Sequence, residues 1–182
     1  MALGGKPEFG VTDGRGTIFV NNEDTSAVLA IDARALVVTR RWPIAPGVEP
    51  SGLALDLEHN RLFSVCDGLL MVSDSEHGRV VASAPVGDGP DGVRFDPKTG
   101  LVFASNGEGT LTIVKQDTPD TYHVLQTVKT ARGARTLELD LETHHVFVAT
   151  AEYGPTPPAT AEQPHPRPPV LPGSFTVLEL AP

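Results

Sequence analysis

The sequence has almost no cysteine: Cys66 is the only one among 182 residues. No disulfide forms within the chain, and Cys66 reads as a small apolar residue at a strand end. Aromatic residues make up only 5%, and no window carries a sustained apolar period of about 3.6 residues, which excludes long amphipathic helices. No run of about 18 apolar residues is present, so no membrane span is read. Met1-Ala-Leu-Gly-Gly-Lys6 lacks the apolar stretch of a signal peptide. Basic residues are outnumbered 14 to 23, for a net charge of -9, and they are scattered. Nucleic-acid binding needs clustered Lys and Arg to displace cations from phosphates, so that class is excluded.

Glycine and proline are abundant instead, 18 and 17 residues, which suits many short strands joined by tight turns. One phrase is written twice, Pro50-Ser-Gly-Leu-Ala-Leu-Asp56 and Pro90-Asp-Gly-Val-Arg-Phe-Asp96, with a period of 40 residues. A fixed period of this length marks stacked units rather than one continuous core. The units run over residues 7–44, 50–86, 90–129 and 134–180, within one repeat domain over residues 1–182. Four strands fit each of the first three. Their turns fall at Asp13-Gly14, Asn22 to Ser26, Glu58 to Asn60, Asp67-Gly68 and Glu76 to Gly78, where Asn, Asp and Gly accept positive φ or bond their own backbone. Phe19, Phe63, Phe103 and Phe147 recur at one position, each after Ile, Leu or Val. An apolar side chain repeated once per unit packs between neighbouring units.

The fourth unit departs from this pattern. It opens with Thr136 to Asp140 and His145 to Thr150, but residues 154–173 interrupt it, with eight prolines between Pro155 and Pro172, before Ser174 to Leu180 resumes as a third strand. Each Pro removes a backbone donor and fixes φ, so the insert is neither a central strand nor a helix. A long, partly extended surface loop is expected.

Four-stranded antiparallel units of this kind are blades of an all-β propeller. Pro50-Ser-Gly-Leu-Ala-Leu-Asp56, Arg61-Leu-Phe-Ser-Val-Cys-Asp67, Gly87-Asp-Gly-Pro-Asp-Gly92, Ala104-Ser-Asn-Gly-Glu-Gly-Thr-Leu-Thr112 and the segment Ala161 to Leu178 resemble the C-terminal four blades of YVTN-type (YncE-like) bacterial β-propellers. The resemblance implies an exported, periplasmic or secreted protein. Members are usually seven-bladed, and the strand that usually completes the final blade is missing. Three ways of completing the ring follow: a homodimer closing eight blades, a four-bladed ring closed on itself, or an open fragment of a longer product.

Propeller geometry gathers the loops between blades at one mouth of the axial tunnel. One repeat position there holds Glu8, Ser51, Asp91 and Arg135. With Glu49 and the insert residue His165 they are the candidate ligand-binding residues. Glu8 and Asp91 are the candidate ligands for a divalent metal ion, the one cofactor considered, and Arg135 offers a fork to a carboxylate or phosphate. Adjacent His144 and His145 point to opposite faces of a strand, which argues against a shared ion. Ser51, Ser64, Ser73 and Ser105 lie in no nucleophile elbow. Gly87 to Gly92 precedes no helix and is no phosphate loop. Asp67 with Asp91, or Glu23 with Asp24, are acid–base pairs on paper only. The reading is a non-catalytic binding or scaffold module for a small ligand, metal ion or protein partner. The alternative is a propeller enzyme, lactonase-like or a metal-assisted hydrolase or oxidoreductase subunit, with its site at the tunnel mouth.

Overall fold

In each repeat an aspartate, the last residue of the first strand or the one directly after it, organises the turn that follows. Asp56 Oδ1 accepts the amides of Glu58 at 3.0 Å and His59 at 3.3 Å, and Asp140 Oδ1 accepts that of Glu142 at 2.9 Å. Asp74 repeats the device one hairpin later, with Glu76 at 2.8 Å and His77 at 3.1 Å. The carboxylate thereby satisfies amides that a strand pair leaves without partners. The residue re-entering the next strand takes a positive φ: 56° at Asn60, 67° at Gly78, 64° at Gly100 and 62° at His144. Hydrogen bonds hold four turn carboxylates below their ordinary range: at Asp32 and Asp140 the backbone amides dominate, and at Asp74 and Asp96 burial pushes upward but is outweighed by the hydrogen bonds together.

The computed structural model describes residues 1–181, and these form an all-β, blade-based propeller fold. Blade one is β1 (Pro7–Thr12), β2 (Thr17–Asn22), β3 (Ala27–Asp32) and β4 (Val37–Pro43). Blade two is β5 (Leu53–Asp56), β6 (Arg61–Cys66), β7 (Leu69–Asp74) and β8 (Arg79–Pro85). Blade three is β9 (Pro90–Asp96), β10 (Leu101–Asn106), β11 (Thr110–Thr118) and β12 (Thr121–Lys129), and blade four is β13 (Thr136–Leu139), β14 (Val146–Thr150) and β15 (Thr176–Leu180). All are antiparallel meanders in sequence order, and blade four has three strands. Among the described residues no helix is long and apolar enough to cross a membrane.

The blades stack through their first strands. β1 lies against β5, β5 against β9 and β9 against β13, with no comparable contact from β13 back to β1. The glycine of the repeated phrase makes this approach feasible. A Cβ on Gly52 would clash with the Asp91 carbonyl oxygen and lie 3.0 Å from the Val93 nitrogen. One on Gly92 would lie 2.9 Å from the Arg135 carbonyl oxygen. Hydrogen bonds reinforce each junction: Asn21 Nδ2 donates to the carbonyls of Ser51 (3.0 Å) and Gly52 (2.9 Å), Ser51 Oγ donates to the Pro90 carbonyl at 3.0 Å, and Ser105 Oγ donates to the Arg135 carbonyl.

Apolar layers fill the spaces between blades. Phe19, Val28, Ala30 and Trp42 pack on Leu53, Leu62 and Met71 of blade two. Phe63, Val65, Leu70 and Val72 pack on Val93, Val102 and Val114 of blade three. Phe103 and Leu111 meet Leu137, Val146 and Val148 of blade four. The recurring phenylalanines therefore face the next blade, and Phe147, with no blade after it, is only half-buried where the other three are buried. The opposite ends of the blades are stitched too. Arg40 reaches the Ser75 carbonyl at 2.8 Å, Arg61 reaches the Pro119 carbonyl at 2.9 Å and Asp120 at 2.8 Å, and His144 Nδ1 bonds Asp96 at 2.7 Å. Arg61 thereby holds the turn between β11, which ends at Thr118, and β12, which begins at Thr121.

The two outward faces differ. A blade at either end of the stack has one face that no neighbouring blade covers. On blade four Phe175 is 69% exposed and Val177 53%. On blade one Val20, Ala27, Leu29 and Ile31 are buried. There the segment before β1 crosses the sheet, with Arg41, the cross-strand neighbour of Leu29, bonded to the Leu3 carbonyl and Asn22 to that of Gly4.

Because the obstacle at Gly52 is backbone, G52A is expected to cost about 1–3 kcal/mol in urea unfolding. T136A, at the equivalent position of blade four where no further strand approaches, is expected to stay within about 0.5 kcal/mol of wild type.

Candidate functional site

The loop end of the blades is built from interlocked glycine turns. The Gly107 amide donates to the Gly89 carbonyl at 2.8 Å, that of Gly133 to Gly107 at 2.9 Å, and that of Thr130 to Gly109 at 2.8 Å. A Cβ on Gly109 would come within 2.8 Å of the Arg132 nitrogen. This tier holds loop 130–135 rigidly against blade three.

The proline-rich insert rises beside it as a strap, with the surface-loop character read from its prolines. Its base is closed like a hairpin: Tyr153 bridges Val170, the Gly154 amide donates to the Pro169 carbonyl at 2.8 Å, and that of Leu171 to Glu152 at 2.8 Å. Tyr153 covers Gly133, whose Cβ would lie 3.1 Å from the ring and whose φ is 80°. Between strap and loop lies an open groove of about 1240 Å³ whose lining includes Arg132, Arg135, Glu152, Tyr153, Arg167 and Leu171.

The mouth residues are distributed over this end as follows. Glu8 pairs with Lys6 at 2.9 Å, and the same ammonium meets Glu23; Lys6 holds the Glu8 carboxyl below its usual range, while Glu23 and Glu8 raise the Lys6 ammonium. Ser51 commits its hydroxyl to Pro90. Asp91 lies 3.8 Å from Arg135, so those two are brought together. Glu49 is exposed at φ 50°, its amide donating to Ser26 Oγ at 3.3 Å. His165 is exposed on the strap and stands outside the groove lining, where Arg167 stands instead. Among the described residues, the one group of three side chains spaced to share a cation is Asp74, Glu76 and His77 at the opposite end. There Asp74 already meets His77 at 2.9 Å, with Arg61 and Arg79 each 3.9 Å away. His144 and His145 bond different carboxylates, Asp96 at 2.7 Å and Glu179 at 2.6 Å.

A further constellation is axial. Arg94 on β9 holds Glu138 on β13 with two parallel bonds, 2.7 and 2.9 Å, and its guanidinium lies 5.0 Å from the Phe9 ring centre on β1. Residues of blades one and three meet past blade two, so they reach into the space on the axial side of β5. Arg94, followed by burial in the opposite sense, sets the Glu138 carboxyl below its ordinary value. The repeat alignment carried a signal for this cluster, since Arg94 stands where the sister phrase has Ala54. Arg132 and Arg167 carried none, because their proximity depends on the path of the strap.

Four antiparallel sheets stacked through their first strands define a β-propeller arc. The solved structure of Kuenenia stuttgartiensis hydrazine synthase, which has β-propeller domains, is similar in shape, with a TM-score of 0.71 at 17% identity over 80% of this chain and 42% of that one. This chain thus spans less than half the length of the matched chain, and at this identity the likeness shows the fold alone. No protein-family model and no curated protein matches the sequence.

In R94M, Glu138 is expected to titrate closer to its ordinary value of 4.5 by carbon-detected NMR. A depressed carboxyl adds stability above its unfolded-state pKa and loses it as pH falls through the folded one. The stability gap between wild type and R94M is therefore expected to be full at neutral pH and to close in acid below the ordinary glutamate range.

Proposed function

We propose that this chain is a non-catalytic binding module of the YVTN-like, exported kind, holding a small ligand in the groove between loop 130–135 and the strap. The observation that carries the reading is the groove itself, which sets a rigid blade loop against a separately anchored strap and leaves Arg132, Tyr153 and Arg167 facing the space between. Concave sites with an apolar wall and a few convergent polar groups are where small molecules bind. The enzyme reading has less support: Ser51 donates its hydroxyl to a backbone carbonyl, and Glu8 and Asp91 each already meet a cationic side chain.

The partner reading concerns blade four. β15 is an edge strand, and a second groove of about 510 Å³ lined by Phe103, Ile113, Leu125, Val128 and Leu180 opens beside β12 and β15. The first three blades each carry a fourth strand after their third. An apolar edge with unpaired backbone favours pairing with another chain, and a second copy is the partner we propose for completing the ring.

Ligand-observed NMR with small acids, sugars and amino acids is expected to give binders that Y153A loses while E8Q keeps them. Turnover of a lactone or ester that E8Q or D91N abolishes would instead establish the enzyme reading. Light scattering is expected to give a mass of two chains, returned to one by V177K; a single-chain mass for wild type at every concentration would end the dimer proposal.

A further inference from the structure

We propose that the groove is an anion site, taking a carboxylate or phosphate borne on a small organic molecule that also has an apolar or ring portion. This rests on the binding-module reading and adds the ligand's chemical class. The chain carries a net charge of -9, yet this groove gathers three arginines, Arg132, Arg135 and Arg167, against one lining carboxylate, Glu152. Most other arginines are engaged: Arg40 on the Ser75 carbonyl, Arg41 on that of Leu3, Arg61 on Asp120 and Arg94 on Glu138. Among the described residues Arg132 and Arg167 have no carboxylate within ion-pair distance, and Arg135 has Asp91 only at 3.8 Å. Arg15 and Arg34 are likewise unpaired, but they stand singly on exposed turns.

The arrangement is built from both sides. Arg132 and Arg135 stand on the loop pinned by the Gly107 and Gly109 carbonyls, and the Arg132 carbonyl accepts the Thr150 hydroxyl at 3.0 Å. Arg167 comes from the strap, whose base is fixed by the Tyr153–Val170 bridge and by the Glu152 amide donating to Ser174 Oγ at 3.0 Å. Guanidinium groups match carboxylate and phosphate oxygens in a planar, two-point fashion. Tyr153, Val170 and Leu171 are exposed, line the same groove, and supply the wall for the apolar portion. A bound anion would tie strap to blade loop.

The test uses the full chain with 15N-labelled arginine, following side-chain Nε–Hε signals during titration with phenyl phosphate, inorganic phosphate, citrate, neutral benzyl alcohol and a glutamate-rich peptide. Phenyl phosphate is expected to shift Arg132, Arg135 and Arg167 saturably, more tightly than inorganic phosphate, and to leave Arg15 and Arg34 unmoved. R132Q and R167Q are each expected to weaken it about tenfold, the scale of one lost charge-assisted bond. R135K, which keeps the charge and loses the fork, is expected to weaken it less. These variants are surface changes, and an unaltered circular dichroism spectrum confirms that each is folded. Equal, unsaturated shifts at Arg15 and Arg34 would reduce the effect to screening and overturn the proposal. Saturation by benzyl alcohol with the anions silent would overturn the anion class while keeping the binding module. Saturation by the peptide alone would move the occupant to an acidic protein segment, and silence from every probe would remove both readings.

Discussion

A carbonyl oxygen of one blade sits where the side chain of the previous blade's phrase glycine would begin. The Arg135 oxygen lies 2.9 Å from the Cβ position of Gly92, and the Val93 nitrogen 3.0 Å from that of Gly52. Only a residue without a side chain lets the first strands come this close. From that approach follow the buried layers behind it, in which Phe19, Phe63 and Phe103 each fill the space to the next blade. It also brings Asn21, Ser51 and Ser105 within hydrogen-bond reach across the junctions. The loops that leave these strands are thereby carried into one tier, and the groove stands on that tier.

The repeat was legible because its constraints are local. Alternating apolar residues, an aspartate at or just after the end of each first strand and a positive-φ residue after each turn define strands and hairpins with little help from the rest of the molecule. What depended on distant partners was less legible. The turn between β11 and β12 is held by Arg61, about sixty positions away in the chain, and the covering of Leu29 comes with residues before β1, which carry no strand pattern. Phe147 repeats its sister residues in sequence but not in burial, since a periodic pattern does not say which unit is last.

The same division holds at the loop end. The phase of the repeat was enough to set Asp91 and Arg135 side by side, because both occupy one position in adjacent blades. It was not enough to reveal that Ser51 is occupied by the Pro90 carbonyl or that Lys6 stands between Glu8 and Glu23. His165 attracted notice as a histidine among prolines, yet the turn of the strap places Arg167 at the groove. Proline fixes the local backbone direction but leaves the overall path to contacts such as Tyr153 on Gly133. Chemistry on this fold is thus carried by loop and strap, while the blades supply a rigid base.

The central claim is that close first-strand approach joins the blades into one cooperative unit, and native-state hydrogen exchange tests it most directly. The account predicts that amides of β5, β6, β9 and β10 exchange through one common opening with the free energy of global unfolding, while those of the unpartnered edge β15 exchange through a smaller, local opening. Separate opening free energies for blades two and three, or protection of β15 equal to that of β5, would contradict it.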